Sequence, residues 1–219
     1  MKRGRFITVE GGEGVGKSTQ ISAIRDVVER AGLQAVVTRE PGGTPRAEAI
    51  RELLLQTTAE PMPQLCELLL MFAARATHVA NVIEPALARG AWVICDRFTD
   101  ATYAYQGGGR GVSLQDIAAL EQLVLRGLKP DLTLLLDAPV DLALKRARAR
   151  NGAAGPDRFE REQLEFFDRV RRSYAALASA HPERIRVIDS STNVETVRAR
   201  VRSTVETFIN TVNSSTAHE

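Results

Sequence analysis

Residues 11–18 read Gly-Gly-Glu-Gly-Val-Gly-Lys-Ser, directly after the apolar, β-type run Phe6-Ile7-Thr8-Val9-Glu10 and directly before a helical stretch. A strand, a glycine loop and a helix in that order restrict the fold more than any other feature of the chain. The G-x-x-x-x-G-K-S spacing lets the backbone bend until successive N–H groups face one anion. The helix that begins near Lys17 adds the positive end of its dipole at the same point. Gly11, Gly12, Glu13, Gly14, Val15, Gly16, Lys17, Ser18 and Thr19 are therefore expected to cradle the phosphates of a nucleoside triphosphate. Lys17 is expected to reach the β- and γ-phosphates and Ser18 to ligate Mg²⁺. The alternative is a glycine-rich turn with a chance lysine, and the flanking strand and helix argue against it.

The rest of the chain alternates in the same way. Strands are expected at Arg5–Glu10, Gln34–Thr38, Ala91–Cys95, Asp131–Leu136 and Arg184–Ile188, all short and apolar. Helices are expected over Lys17–Ala31, Pro45–Leu55, Leu65–Arg89, Ser113–Arg126, Val140–Arg150, Gln163–Ser179 and Val194–Asn210. Ser113 is a plausible N-cap, Gly90 a helix stop, and Pro85 a source of a kink. Five such strands separated by helices predict an α/β fold, a parallel sheet covered on both faces. At 219 residues one domain spanning 1–219 is expected, with a polar tail from 213 to 219 that frays. Such sheets bind ligands at the carboxyl ends of their strands. Chemistry is therefore sought at 11–18, 39–44, 96–110, Asp137 and Asp189.

Composition excludes little but is consistent. A net charge of +2 gives no reason to expect a nucleic-acid partner. No apolar run looks long enough to span a bilayer, and the N-terminal Met1-Lys2-Arg3-Gly4-Arg5 leads at once into a strand, so neither a membrane partner nor a signal peptide is expected. Cys66 and Cys95 lack metal-ligand spacing and sit in apolar segments, which fits reduced core residues of a cytoplasmic protein.

Three further segments carry chemistry. Thr38-Arg39-Glu40-Pro41-Gly42-Gly43-Thr44 follows the second strand. Its Pro-Gly-Gly turn can hold a cis Glu40–Pro41 bond, and it reads equally as a connecting turn or a phosphate-handling loop. Arg51 follows about two helical turns on and, taken alone, reads as a solvated helix position. After the third strand, Asp96 lies where a carboxylate would face Mg²⁺ directly or through water, and Arg97 could bridge donor and acceptor phosphates; the alternative is a solvent-exposed Asp-Arg pair at a strand end. The stretch from Thr102 through Tyr105 and Gln106 to Arg110 offers aromatic and amide groups for a base. In the long helix Phe72 and Arg75 are three apart and share a face. Phe72 alone reads as core. Arg75 among alanines suits a planar base. Last, Lys145-Arg146-Ala147-Arg148-Ala149-Arg150, then small residues, then Asp157-Arg158, fits a mobile lid over roughly 146–160 or a basic surface patch.

These segments together resemble thymidylate kinase. The resemblance rests on Glu10–Ser18, on Thr38–Thr44, on Asp96-Arg97-Phe98 with Ala104-Tyr105-Gln106-Gly107, and on Lys129–Asp137, and it continues into the lid. It implies a P-loop nucleoside monophosphate kinase-like fold, transfer of the ATP γ-phosphoryl group to dTMP with Mg²⁺, and a homodimer. By that resemblance Glu13 lies near the acceptor's 3′-hydroxyl, and Arg39, Pro41, Arg51 and Arg97 meet the dTMP phosphate side. Phe72 is similar to the ring that stacks on thymine, and Arg75 to the donor to its carbonyl. Thr102 and Gln106 line the base pocket, and Tyr105 crowds the sugar against a 2′-hydroxyl. Gly14 stands where one style of the family carries a basic residue. The chain therefore looks like the bacterial lid-arginine type, with Arg146, Arg148, Arg150 and Arg158 as candidates and Arg150 as first choice for the transferring phosphoryl group. Ala101 departs from the hydroxyl residue of many members. The rivals are another nucleotide or deoxynucleoside kinase of the same fold, and a P-loop switch. The switch is disfavoured by the lack of Asn-Lys-x-Asp and of Asp-x-x-Gly after the third strand. His78, His181 and His218 are not at strand ends, so no histidine base is expected.

Overall fold

The computed structural model describes residues 2–151, 158–159 and 162–216. Its elements run β1 (Phe6–Glu10), α1 (Lys17–Arg30), β2 (Ala35–Arg39), α2 (Pro45–Leu55), α3 (Gln64–His78), α4 (Glu84–Ala88), β3 (Trp92–Asp96), α5 (Thr99–Thr102), α6 (Leu114–Leu125), β4 (Leu132–Asp137), α7 (Val140–Asn151), α8 (Leu164–Ala180), β5 (Ile185–Asp189) and α9 (Val194–Thr216). The five strands form one parallel sheet in the order β2-β3-β1-β4-β5. β1 and β3 are neighbours, but the chain leaves them in opposite directions, toward β2 and toward β4. A crevice therefore opens at their carboxyl ends, where the loops diverge.

Both faces of the sheet are covered, which is why its strands are apolar throughout. Alternate residues face opposite ways. Ile7, Val9, Trp92, Ile94 and Leu134 pack with Ile24 and Val28 of α1 and Val201 and Val205 of α9. Phe6, Val93 and Cys95 pack with Ile83 and Leu87, on the other side. Leu135 and Ile185 meet Phe166, Phe167 and Tyr174 of α8.

Several details differ from the sequence expectation. The expected Leu65–Arg89 helix is helical from Gln64 to Ala88, with a wide π turn at Val79–Ile83. Pro85 is the second residue of α4, just after that turn. It lacks an N–H for the preceding turn, and a locally wider helix accommodates its ring. At 25 residues and a mean hydropathy of 1.3 this run is long and apolar enough to cross a membrane by those two measures, contrary to expectation. Glu67, Arg75 and His78, buried along it with partners from other elements, mark it as a core helix of the fold. Cys66 is exposed at its start, not core, while Cys95 is buried as expected. α9 continues through Asn213 to Thr216, so most of the expected frayed tail is helical. The glycine run after Tyr103 is a π-helical segment, Tyr103–Gly109, continuing α5.

Candidate active site

The crevice holds a cleft of about 470 Å³. Its floor at one end is the loop between β1 and α1. Gly14, at φ +72°, backs onto α7 so closely that a Cβ there would lie 1.9 Å from the Ala143 carbonyl oxygen. No side chain fits at this position. A basic residue therefore cannot stand in the loop here, and the extra cations must come from other elements. Gly16 caps α1 in the left-handed region, and Glu13, Gly14, Gly16, Lys17, Ser18 and Thr19 line the cleft. Gly11, Gly12 and Val15 form the back of the loop, and Val15 is anchored in the core. Lys17 Nζ folds back to donate to the carbonyls of Gly12 (2.9 Å) and Gly11 (3.3 Å). Burial, followed by the nearby Arg97 charge, pushes its pKa down, against the opposing pull of Glu13, Asp96 and Glu10.

Arg97 is the hub. It sits just past β3 with φ +67°, a left-handed backbone that a side chain tolerates only at a cost. That geometry sends its guanidinium back across the sheet edge to the phosphate loop. Nη1 donates to Gly11 O (2.7 Å) and Tyr174 Oη (3.3 Å). Nη2 donates to Glu13 and to Tyr105 Oη (3.0 Å), with the guanidinium carbon 4.8 Å from the Tyr105 ring centre. Burial opposes its charge, but Tyr105, Glu13, Tyr174 and Asp96 outweigh that and raise its pKa well above the ordinary arginine value. Behind it Glu10, fully buried, accepts from Phe98 N–H and from Tyr174 Oη, both at 2.7 Å. Burial, reinforced by Asp100, lifts the Glu10 pKa to about 8. Asp100 is itself held by both Nη atoms of Arg184. The next strand-end residue, Asp96, lines the cleft, and its Oδ1 is buried with no partner.

The other end of the cleft is built by α2, α3 and the segment after β3. The Glu40–Pro41 bond is cis. Arg39 pairs with Glu48 at 2.7 Å, and Arg51 Nη1 donates to Pro41 O at 3.0 Å, so the 39–51 segment presents both cations to the cleft that it lines. Arg75, 3% exposed, donates Nε to Glu40 (2.7 Å) and Nη2 to Phe98 O (3.1 Å). Its Nη1 is buried without a partner in a residue that lines the cleft, a donor awaiting an acceptor. Thr102, Tyr105 and Gln106 line the same end, as does Ala101. Phe72 does not line it. Its ring, 2% exposed, packs with Leu68 and Ile117 beneath the Arg75 guanidinium, 4.8 Å from its centre. Met71, Leu55, Phe98 and Phe159 are the apolar walls of the cleft.

The arginine-rich segment is only partly described. Arg146 lines the cleft and donates to the carbonyls of Ser190 (2.8 Å) and Ser191 (3.2 Å), which ties α7 to the loop after β5. Arg148 is exposed on α7. The Arg150 side chain and residues 152–157 lie outside the described residues. Arg158, expected among the lid cations, does not line the cleft. It donates to Leu54 O (2.7 Å) and Glu67 Oε2 (2.6 Å), because a buried carboxylate on α3 needs a counter-charge. Asp137 and Asp189 end their strands as expected, but Asp137 pairs with Arg171 and Asp189 accepts from the Ser191 amide.

Sequence reasoning missed a buried relay. His78 is fully buried, its Nδ1 2.9 Å from Glu40 Oε1 and its Nε2 2.6 Å from Thr38 Oγ1. Through Glu40 it braces Arg75. A Cβ at Gly43 would lie 2.5 Å from the same imidazole, so the Pro-Gly-Gly turn is shaped by the helix behind it. Glu10, Glu67, Tyr174 and Arg184 were likewise unforeseen.

A phosphate loop on a parallel sheet, joined in one cleft to a cationic second binding end, defines a P-loop phosphotransferase of the nucleotide kinase class. The family described as Thymidylate kinase matches residues 9–201. The thymidylate kinase of Chromohalobacter salexigens is 59% identical over 202 residues, covering 92% of this chain and 94% of that protein. That of Methylococcus capsulatus is 54% identical over 210 residues, covering 95% and 98%. A crystal structure of thymidylate kinase from Ehrlichia chaffeensis superposes with a TM-score of 0.75 at 33% identity, covering 93% of this chain and 99% of that one. The chain belongs to the thymidylate kinase family and is an enzyme.

Proposed function

We propose that the chain transfers the γ-phosphoryl group of ATP to dTMP, giving dTDP and ADP for dTTP synthesis and DNA replication. The observation that carries this reading is a single cleft lined by the phosphate loop, by Arg97, and by Arg39, Arg51 and Arg75. Two phosphate-bearing molecules can meet in it end to end. The ATP phosphates rest on the loop, with Lys17 turning from the Gly12 carbonyl to the β- and γ-oxygens. The dTMP phosphate lies against Arg39 and Arg51 beside the cis-Pro41 turn. Arg97 faces both, and its charge is held in place by Glu13 and the two tyrosine hydroxyls. The acceptor is already an anionic phosphate oxygen, so no strong base is needed and the chief obstacle is mutual repulsion.

At the far end Arg75 supplies an unpartnered donor for a base carbonyl, and Gln106 and Thr102 complete the polar edge. Tyr105, held by Glu13 and Arg97, fills the space beside the sugar and disfavours a 2′-hydroxyl. Phe72 supports the base indirectly, through Arg75, in the form seen here. Ser18 and Asp96 fit Mg²⁺: both line the cleft, and Asp96 Oδ1 is buried with no protein partner. Among the described residues there is no group of three or more His, Cys, Asp or Glu able to hold a metal. That suits an ion that takes most of its ligands from phosphate and water. Bound there, Mg²⁺ would offset charge on the β- and γ-oxygens. Arg146 and Arg150 are proposed to bring α7 over the donor phosphates, with Arg150 first. The exposed leucines Leu65 and Leu69 of α3 support the homodimer that the family resemblance implies. A cytoplasmic location fits this metabolic role.

Purified protein with ATP and Mg²⁺ should release ADP rapidly with dTMP, more slowly with dUMP, and little with dCMP or thymidine. EDTA should abolish the release. ATP turnover that ignores the acceptor would overturn the assignment.

A further inference from the structure

Glu67 lies on α3, 1% exposed, behind the wall of the cleft and not on it. A carboxylate can only accept hydrogen bonds. Its Oε1 takes the amide nitrogen of Gln106 at 2.7 Å, with Arg110 Nε at 3.5 Å. Its Oε2 takes Arg158 Nη2 at 2.6 Å. Arg158 is stacked 4.5 Å from the Phe159 ring and also bound to Leu54 O, so the carboxylate is clamped from behind and cannot turn. The acceptor Oε1 therefore decides how the Gln106 amide sits. With its nitrogen tied to Glu67, the group that Gln106 can offer to the cleft it lines is its carbonyl oxygen.

We propose that Glu67 is a positioning residue for base selection: it locks the Gln106 amide with its oxygen toward the cleft, so that the site accepts a hydrogen bond from an imide N–H and rejects a base with a lone pair at that position. A 4-oxo pyrimidine carries that N–H beside a carbonyl, which Arg75 Nη1 can meet. A 4-amino pyrimidine presents a ring-nitrogen lone pair instead, and the two acceptors repel. A free glutamine would simply rotate, since its two ends are nearly the same shape. Selection thus rests less on Gln106 itself than on the buried charge that removes its choice.

The geometry makes a directional test available, and it rests on the reading that Gln106 faces the base. In Glu67→Gln, Arg158 still requires an oxygen, so the new amide turns its nitrogen toward Gln106. Gln106 must answer with its oxygen and present its NH₂ to the cleft. Coupled ADP release gives kcat/KM for dTMP and dCMP. The ratio of the two should fall roughly tenfold or more, through a higher KM for dTMP and an improved dCMP reaction. Gln106→Met should lower the dTMP:dCMP ratio too, and adding Glu67→Gln to it should lower the ratio no further, because the effect passes through Gln106. A structural role alone would shift the melting temperature and leave the ratio fixed. If Glu67→Gln does not fold, Glu67→Asp keeps the charge for both arginines while withdrawing Oε1 from Gln106, and the ratio should again fall. A folded Glu67 variant with the wild-type ratio overturns the proposal. An unchanged ratio in Gln106→Met would instead overturn the base-facing reading of Gln106, and this proposal with it.

Discussion

Replacing Arg97 separates two roles that the structure combines in one residue. Its guanidinium donates to Gly11 O, Glu13, Tyr105 Oη and Tyr174 Oη, and its backbone sits at φ +67°. Arg97→Ala deletes all four bonds, the ion pair with the Glu13 carboxylate among them. Hydrogen bonds to charged groups contribute about 1.5–3 kcal/mol each in isolation but are not additive in a shared network. A net loss of about 2–3 kcal/mol follows, which a folded chain of ordinary stability survives. Alanine keeps the strained backbone and glycine relieves it, so Arg97→Gly should be more stable than Arg97→Ala by about 1 kcal/mol. Phosphoryl transfer should not follow that order. Both variants lose the cation proposed to face donor and acceptor phosphates, and both should lose roughly 10³-fold or more in kcat, about 4 kcal/mol of transition-state stabilisation. Urea unfolding reports the first quantity and coupled ADP release at saturating ATP and dTMP the second. If activity followed only the stability of the fold, it would recover in part in Arg97→Gly along with stability. A near-normal kcat in either folded variant would remove the residue from the mechanism.

Glu10 predicts an unusual pH dependence. Its native pKa is raised to about 8 from an ordinary 4.5, so between these values the native chain holds a proton that the unfolded chain has released. Stability from this group is fully present below about pH 4.5 and is lost as pH rises through 8. Glu10→Gln should therefore give a urea midpoint that declines less between pH 5 and pH 9 than the wild type's, and identical slopes would refute the assignment. Gly14→Ala should lose about 2–5 kcal/mol, combining positive φ with a Cβ pressed on the Ala143 carbonyl. Its ATP KM should rise as α7 is pushed from the loop, and a variant with wild-type melting and KM would show that the loop does not depend on this contact.

What the sequence revealed and what it hid differ in the range of the interaction. The phosphate loop, the strand-end Asp96 and Arg97, and the Arg39–Pro41 turn each sit within a few residues of a strand end, so chain order alone brings them to the crevice. Periodicity located all five strands to within a residue, because a sheet buried on both faces needs continuous apolar runs. Glu67 and His78 gave no such signal. Each is one polar residue on an apolar helix, and their partners lie 39 residues away at Gln106, 91 at Arg158 and 38 at Glu40. The Gly107-Gly108-Gly109 run gave no sign of its packing for a related reason. A Cβ at Gly108 or Gly109 would lie 2.6 Å from Ser173 or 2.4 Å from Phe166. These glycines let α8 close onto the π-helical segment that carries Tyr105 and Gln106. The same packing brings Tyr174 to Glu10 and Arg97. The phosphate loop, Asp96, Arg97 and Arg39 are thus encoded beside strand ends, whereas Arg51, Arg75 and the residues that hold the cleft together are brought to it by the packing of helices. Arg39 shows why the distinction matters for function. It is held by Glu48, whose pKa is lowered despite some burial, chiefly by the Gly43 N–H and the Arg39 charge. The phosphate that Arg39 is proposed to bind therefore finds this cation already oriented, and binding need only add a second anion on the side facing the cleft.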